Sequence, residues 1–135
     1  LGFFYGRPGR KIHYSAGNDL GDVSDNCFYM REVDIQRQIL QYLQLRGIFC
    51  WRNSTGAMVR EFGGHKHFYR FGCVGSPDII GMMPDGRFLG VEVKAARGAC
   101  TSDQWAFLEK IRQNGGIGIV ARSIEEVAQQ LNLPI

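Results

Sequence analysis

Gly75-Ser76-Pro77-Asp78-Ile79-Ile80-Gly81-Met82-Met83, then Pro84-Asp85-Gly86, then Arg87-Phe88-Leu89-Gly90-Val91-Glu92-Val93-Lys94 reads as two strands joined by a three-residue loop. Pro84-Asp85-Gly86 between apolar runs suits a type I turn closed by a left-handed glycine. Such a loop predicts the register. With Met83 opposite Arg87, paired residue numbers sum to 170, and Asp78 falls opposite Glu92.

Side chains alternate along a strand, so Glu92 and Lys94 share one face while Val91 and Val93 take the other. Facing carboxylates, with Cβ atoms about 5 Å apart, repel unless positive charge lies between them. A divalent cation together with Lys94 would supply it, and hard oxygen ligands favour Mg²⁺ or Mn²⁺ over zinc. The same residues also describe a plain hairpin whose charged end faces water.

Working outward, Arg31 to Arg46 is helical, with Glu32, Ile35, Gln36, Ile39, Leu40 and Leu43 on one face at spacings of three and four, and Gly47 ends it. A Glu and a Gln thus extend an inward stripe, although Glu32 also suits the first turn of a helix through its dipole. Ile48 to Trp51 reads as a short buried strand. Arg52 to Gly75 is glycine-rich and punctuated by Arg52, Arg60, Lys66 and Arg70, with Phe62, His65, His67, Phe68, Tyr69 and Phe71 interleaved. Cations alternating with flat rings suit phosphate contact and base stacking; they also suit a ring core with a solvated rim.

Past the hairpin, Ala95 to Cys100 is a glycine-containing link, and Thr101-Ser102-Asp103-Gln104 is a capping box that opens a second helix. Gln104 shares a face with Phe107, Leu108 and Ile111, which aims it across the sheet toward Lys94. Gly115-Gly116 ends that helix. Ile117 to Ala121 reads as a strand apolar enough to be central, and Ser123-Ile124-Glu125-Glu126 as a second capping box, opening a helix with Ile124, Val127 and Leu131 inward.

Pro77-Asp78 and Glu92-Val93-Lys94, with thirteen residues between the acids, resemble the PD-(D/E)xK nuclease motif. Their setting is more specific: Glu32-x-x-x-Gln36, Trp51-Arg52-Asn53, Thr55-Gly56, Arg70-Phe71-Gly72 and Thr101-x-x-Gln104 together resemble the VRR-NUC branch of that superfamily, from about Arg31 to Leu131. The resemblance implies an α/β restriction-endonuclease-like αβββαβ core, a mixed four-stranded sheet flanked by helices, with an extra C-terminal helix. It implies a Mg²⁺- or Mn²⁺-dependent DNA endonuclease of replication and repair, acting on structured DNA such as four-way junctions, and working as a homodimer. Asp78, Glu92 and the Val93 carbonyl would hold the cation, with Glu32 reaching it directly or through water. Lys94 and Gln104 would complete the catalytic group, and Arg52, Asn53, Arg60, Lys66 and Arg70 would meet nucleic acid. A restriction-type or exonucleolytic nuclease, or a noncatalytic nucleic-acid-binding module, are the other readings of the same residues.

At 135 residues the chain is sized for one folded domain, and no apolar run approaches a membrane span. Sixteen Lys and Arg against thirteen Asp and Glu leave +3, compatible with a polyanionic partner without requiring one. Cys27, Cys50, Cys73 and Cys100 form no Cys-x-x-Cys pair, so reduced thiols are expected, and the resemblance implies the cytoplasm of a bacterial or phage-infected cell. His65-x-His67 near Cys73 is read as solvated or phosphate-facing instead of zinc-binding. Residues 1–29 hold five glycines and little periodicity, which predicts a disordered arm or a non-native leader before a domain spanning 30–135, with Met30 as a candidate start.

Overall fold

The computed structural model describes residues 30–135, and the expectations for residues 1–29 lie outside them. The described chain runs α1 (Glu32–Leu45), β1 (Phe49–Arg52), β2 (Gly56–Phe62), β3 (His65–Phe71), β4 (Ile79–Met82), β5 (Phe88–Val93), α2 (Ser102–Gln113), β6 (Ile117–Ala121) and α3 (Ile124–Leu131). β4 and β5 pair antiparallel in the predicted register, Ile79 with Val91 and Met82 with Phe88. The Met83 N–H donates to the Arg87 carbonyl at 2.9 Å, and Gly86 takes φ 87° at the loop's end.

Four strands form a mixed sheet in the order β1-β4-β5-β6, antiparallel except for the parallel β5–β6 pair. This is the architecture expected of a restriction-endonuclease-like fold. Two assignments within it differ from the sequence reading. β6 is an edge strand, and β4 and β5 are central. β1 is the other edge, with only Cys50 buried among its residues. An apolar run marks a face that packs, and β6 earns its character by covering α2 and α3 on both sides.

Alternation sorts the sheet's two faces. Leu89, Val91 and Val93 join Ile35, Ile39 and Leu43 of α1 and Val127 and Ala128 of α3 in one buried cluster. Fully burying such an aliphatic side chain contributes about 1.5–3 kcal/mol. Tyr42 is buried there too, and its hydroxyl donates to the Pro134 carbonyl at 2.6 Å. The other face carries Gly90 and Gly118, and there α2 comes so close that a Cβ on Gly90 would meet Ile111 Cδ1 at 2.6 Å. Glu92 and Lys94 share that face with Gly90.

The largest departure is between β1 and β4. Within residues 52–75, a glycine-rich stretch given no strand from sequence, residues 56–71 form the β2–β3 hairpin, a separate two-stranded sheet. Gly63 and Gly64, at φ 60° and 76°, make its two-residue turn, which needs positive φ at both central positions. Of its fourteen strand residues only Gly56 is even half-buried. Alternation was present in the sequence, but both faces mix rings with charges, so no apolar face announced a strand.

Candidate active site

Antiparallel bonding alternates, so from the Met83–Arg87 pair the next bonded pairs fall at 81/89, 79/91 and 77/93. A continued ladder would therefore take the Val93 N–H to Pro77. Pro77 has no N–H to return, and the ladder ends. The Asp78 side chain takes over: its Oδ2 accepts the Val93 N–H at 2.9 Å. The strand pair thus opens at the point where Asp78 and Glu92 face each other.

Asn53 shapes the same turn. Its N–H donates to the Asp78 carbonyl at 2.7 Å, and its side-chain amide donates to Ser76 Oγ at 2.7 Å and to the Pro77 carbonyl at 3.0 Å. An expected nucleic-acid contact thus has its amide engaged in holding the Pro-Asp turn. Ser76 was not singled out in the sequence, where a serine before Pro-Asp is unremarkable on its own. Gly75 packs this turn onto the main chain of Asp103 at the start of α2.

Glu92 and Lys94 are both buried, and Lys94 Nζ lies 2.7 Å from Glu92 Oε1. That same oxygen accepts Gln104 Nε2–H at 2.5 Å. Gln104 also closes the capping box, its Oε1 accepting the Thr101 N–H at 2.8 Å while Thr101 Oγ1 accepts the Gln104 N–H at 3.3 Å. One side chain therefore caps α2 with its carbonyl and grips Glu92 with its amide. The expected aim was at Lys94; the structure sends it to Glu92, because the two groups share one carboxylate oxygen. The second box is only half made: Ser123 Oγ accepts the Glu126 N–H at 3.2 Å, but Glu126 Oε2 turns to the Arg122 N–H at 2.9 Å.

Burial lifts the Asp78 carboxyl above its ordinary 3.8, with the Val93 N–H and Lys94 pulling down and Glu32 adding to the rise. Glu92 is likewise raised above 4.5 by burial, opposed by the Lys94 hydrogen bond and reinforced by the Asp78 charge. For Lys94, burial pulls down, but the bond and charge of Glu92 outweigh it and hold the ammonium above 10.5. The asymmetry follows exposure: the Glu92 side chain is 2% exposed and that of Lys94 10%, so desolvation wins at the acid alone. Cys100 feels the same site, its thiol raised by burial and then by the Glu92 charge.

Glu32 is exposed, and its Oε2 accepts the Ala95 N–H at 3.2 Å, just beyond Lys94. Among the described residues, no group of three or more His, Cys, Asp or Glu is close enough to hold a metal ion. The inward extension of the α1 stripe therefore stops at Gln36, which is buried, and Glu32 stands at the rim. The donors still fit a hard divalent cation: two carboxylates near enough that the Asp78 charge raises Glu92, each lifted by burial.

The expected basic contacts divide. Arg52 lies at the end of β1 and is exposed, close enough to Asp78 to lower its pKa. Arg60 faces His67 across β2–β3, whereas Lys66 faces Glu61 and Arg70 faces Ala57. In an antiparallel pair facing residues share a side, so Arg60 stands on one face of the hairpin and Lys66 and Arg70 on the other.

A family model, the VRR-NUC domain, matches residues 30–125. The chain belongs to the VRR-NUC family. It is thus a nuclease domain of the PD-(D/E)xK type, and the matched span includes Pro77-Asp78 and Glu92-Val93-Lys94. No curated protein and no solved structure matches the chain. In this VRR-NUC domain the acid pair, the lysine and the α2 glutamine come from three elements, and the Pro-Asp turn is braced by a fourth, β1.

Proposed function

We propose that this VRR-NUC domain is a divalent-metal-dependent DNA endonuclease of replication and repair type, with branched DNA such as a four-way junction as substrate. The observation that carries it is the group at the opened end of the β4–β5 pair, in which buried Glu92 and Lys94 are met by half-buried Asp78 and Gln104. Asp78, Glu92 and the Val93 carbonyl would hold Mg²⁺ or Mn²⁺, with Glu32 at the rim reaching it through water. Held by these residues, a cation would supply polarisation of the phosphate and a lowered pKa for the attacking water.

The chain's own groups do the rest. Lys94, ion-paired with Glu92 at 2.7 Å, would offset charge on the phosphate in the transition state and orient the attacking water. Gln104 is a positioning residue: it fixes the Glu92 carboxylate through Nε2 while α2 fixes Gln104 through the cap. Arg52 at the β1 end, with Arg60, Lys66 and Arg70 on the hairpin, supplies phosphate contacts.

Support for a homodimer comes from the open side of β1 and β4. Phe49 is 65% exposed and Trp51 43%, their ring centroids 5.3 Å apart, and Met82 pairs with Phe49. Two active sites on one dimer suit paired incisions at a junction. The cytoplasm of a bacterial or phage-infected cell fits the free thiols of Cys50, Cys73 and Cys100. No helix among the described residues is long and apolar enough to cross a membrane.

A restriction-type or exonucleolytic enzyme on this fold would use the same residues. A noncatalytic binding module would not, since an acid pair at the DNA face repels phosphate. Cleavage of linear, nicked, flapped and four-way DNA with Mg²⁺, Mn²⁺ or EDTA separates the readings. Divalent-dependent internal cutting with junction preference is expected, and no cutting of any substrate would leave the binding module.

A further inference from the structure

The β2–β3 hairpin is exposed along its whole length, and its register puts a row of rings on one face. His65, His67, Tyr69 and Phe71 alternate along β3, and Arg60 from β2 stands opposite His67. Alternate residues of a strand are about 6.6–6.8 Å apart, and the His67 and Tyr69 ring centroids are 6.3 Å apart at 35°. That pitch is about twice the 3.4 Å rise of stacked bases in a duplex strand. It suits an unstacked, extended strand that offers one base to each ring.

Charge and shape point the same way. Arg60 is the one formally charged side chain on this face; Glu61, Lys66 and Arg70 all lie on the opposite one. Between Met58, Arg60 and Tyr69 lies an open cavity of about 300 Å³, walled by a ring and a guanidinium. Tyr69 is 50% exposed and Phe62, at the tip of the same face, 81%. Exposed rings on that scale mark a contact surface. The hairpin is also tied to the chemistry: six residues lie between Phe71 and Asp78. A second cavity, of about 390 Å³, lies at its foot among Thr55, Ala57, Arg70, Val74 and Gly75.

We infer that this ring-bearing face is a stacking platform for a single-stranded stretch of nucleic acid, so that the substrate presents unpaired bases within a few nucleotides of the cleaved bond. The inference rests on the nuclease reading and narrows its substrate. Bases inside a duplex have no free face, so the platform selects flaps, gaps or opened branch points over continuous duplex.

Binding in EDTA, where nothing is cut, tests the platform apart from catalysis. The full chain is titrated into a fluorescein-labelled oligo-dT of about 15 nucleotides and into a blunt duplex of equal length, and into an oligonucleotide carrying 2-aminopurine. Tighter single-strand binding is expected, with 2-aminopurine fluorescence quenched by stacking. Tyr69→Ala should weaken single-strand binding about 5- to 150-fold, the range for one lost stacking contact, and Tyr69→Phe should restore it. Lys66→Ala, on the other face, should weaken both DNAs alike and lower the salt dependence. Circular dichroism is expected to be unchanged in all three. Equal affinity for the two DNAs, or Tyr69→Ala binding like the parent, overturns the platform even if cleavage is normal. So does a Tyr69→Ala protein that loses self-association but keeps its single-strand affinity, for the face would then belong to a second copy. A chain that stacks single strands yet cuts no DNA would sink the nuclease reading and leave the platform standing.

Discussion

Asp78 and Glu92 are carboxylates whose folded environment favours the proton. Each is raised above its ordinary value, so in the window above 3.8 and 4.5 the folded state holds more protons than the unfolded one. Stability from these two groups is therefore full at low pH and falls as pH rises through the raised values. The metal-free protein should lose melting temperature across that window, and Asp78→Asn, which keeps an oxygen for the Val93 N–H, should flatten the loss. Divalent-ion affinity should run the opposite way, weakening as pH drops and protons compete. Calorimetry of the metal-free protein at several pH values checks both. Metal holding and charge stabilisation also separate by substitution. Asp78→Ala or Glu92→Ala should abolish both cleavage and ion binding. Lys94→Ala should cut about 10²- to 10⁴-fold more slowly while still binding Mg²⁺. It should also destabilise the metal-free protein at neutral pH by up to about 3–5 kcal/mol, the cost of orphaning a buried ion, with recovery in acid or on adding Mg²⁺. Single-turnover cleavage beside isothermal titration reads both quantities; a Lys94→Ala protein that cuts at the parental rate would remove this hairpin as the active site.

Helix α2 is joined to the Pro-Asp turn through Gly75 and to Glu92 of β5 through Gln104. Gln104→Glu separates the two jobs of that side chain. A glutamate still accepts the Thr101 N–H and caps the helix, but it gives Glu92 no donor and adds a second negative charge. Cleavage should fall and neutral-pH stability drop, with stability recovering as pH is lowered, whereas a loss that ignores pH would mean the cap alone matters. Gly75→Ala tests the junction from the other side. At φ 77°, and against the Asp103 main chain, an added Cβ should cost about 1–3 kcal/mol for the backbone alone. Urea unfolding measures it, and a neutral result would show that α2 can move away from the turn.

The flank of β1 and β4 should decide assembly. Phe49→Asp with Trp51→Asp places charge on the two exposed rings and should yield a monomer in sedimentation velocity, with junction cleavage reduced to single nicks. Because the side chain of Cys50 points to the opposite, buried face, the fold should survive. A parent protein that sediments as a monomer at working concentration would end the dimer reading.

The Pro84-Asp85-Gly86 loop and the period-two alternation were enough to predict which β4 residue meets which β5 residue, because a hairpin's register is set by bonds within a few residues of its turn. The Thr101 cap of α2 and the apolar stripe of α1 were legible for the same reason: they are local. The sequence by itself thus placed Asp78 against Glu92 and Lys94 on their shared face. It did not place Gln104 on Glu92, Glu32 on the Ala95 N–H or Asn53 on Ser76, which join residues 12, 63 and 23 positions apart. Nor did it tell edge from centre for β1 and β6, since apolar content reports what covers a strand's faces while sheet order depends on the crossovers. Only the packed structure decides such matters, because their energy comes from surfaces that meet after the elements have formed. For the β2–β3 hairpin the sequence held the Gly63-Gly64 turn, but with no face to bury there was no hydrophobic period to reveal the strands. What remains among the described residues is a pair of solvent-facing surfaces.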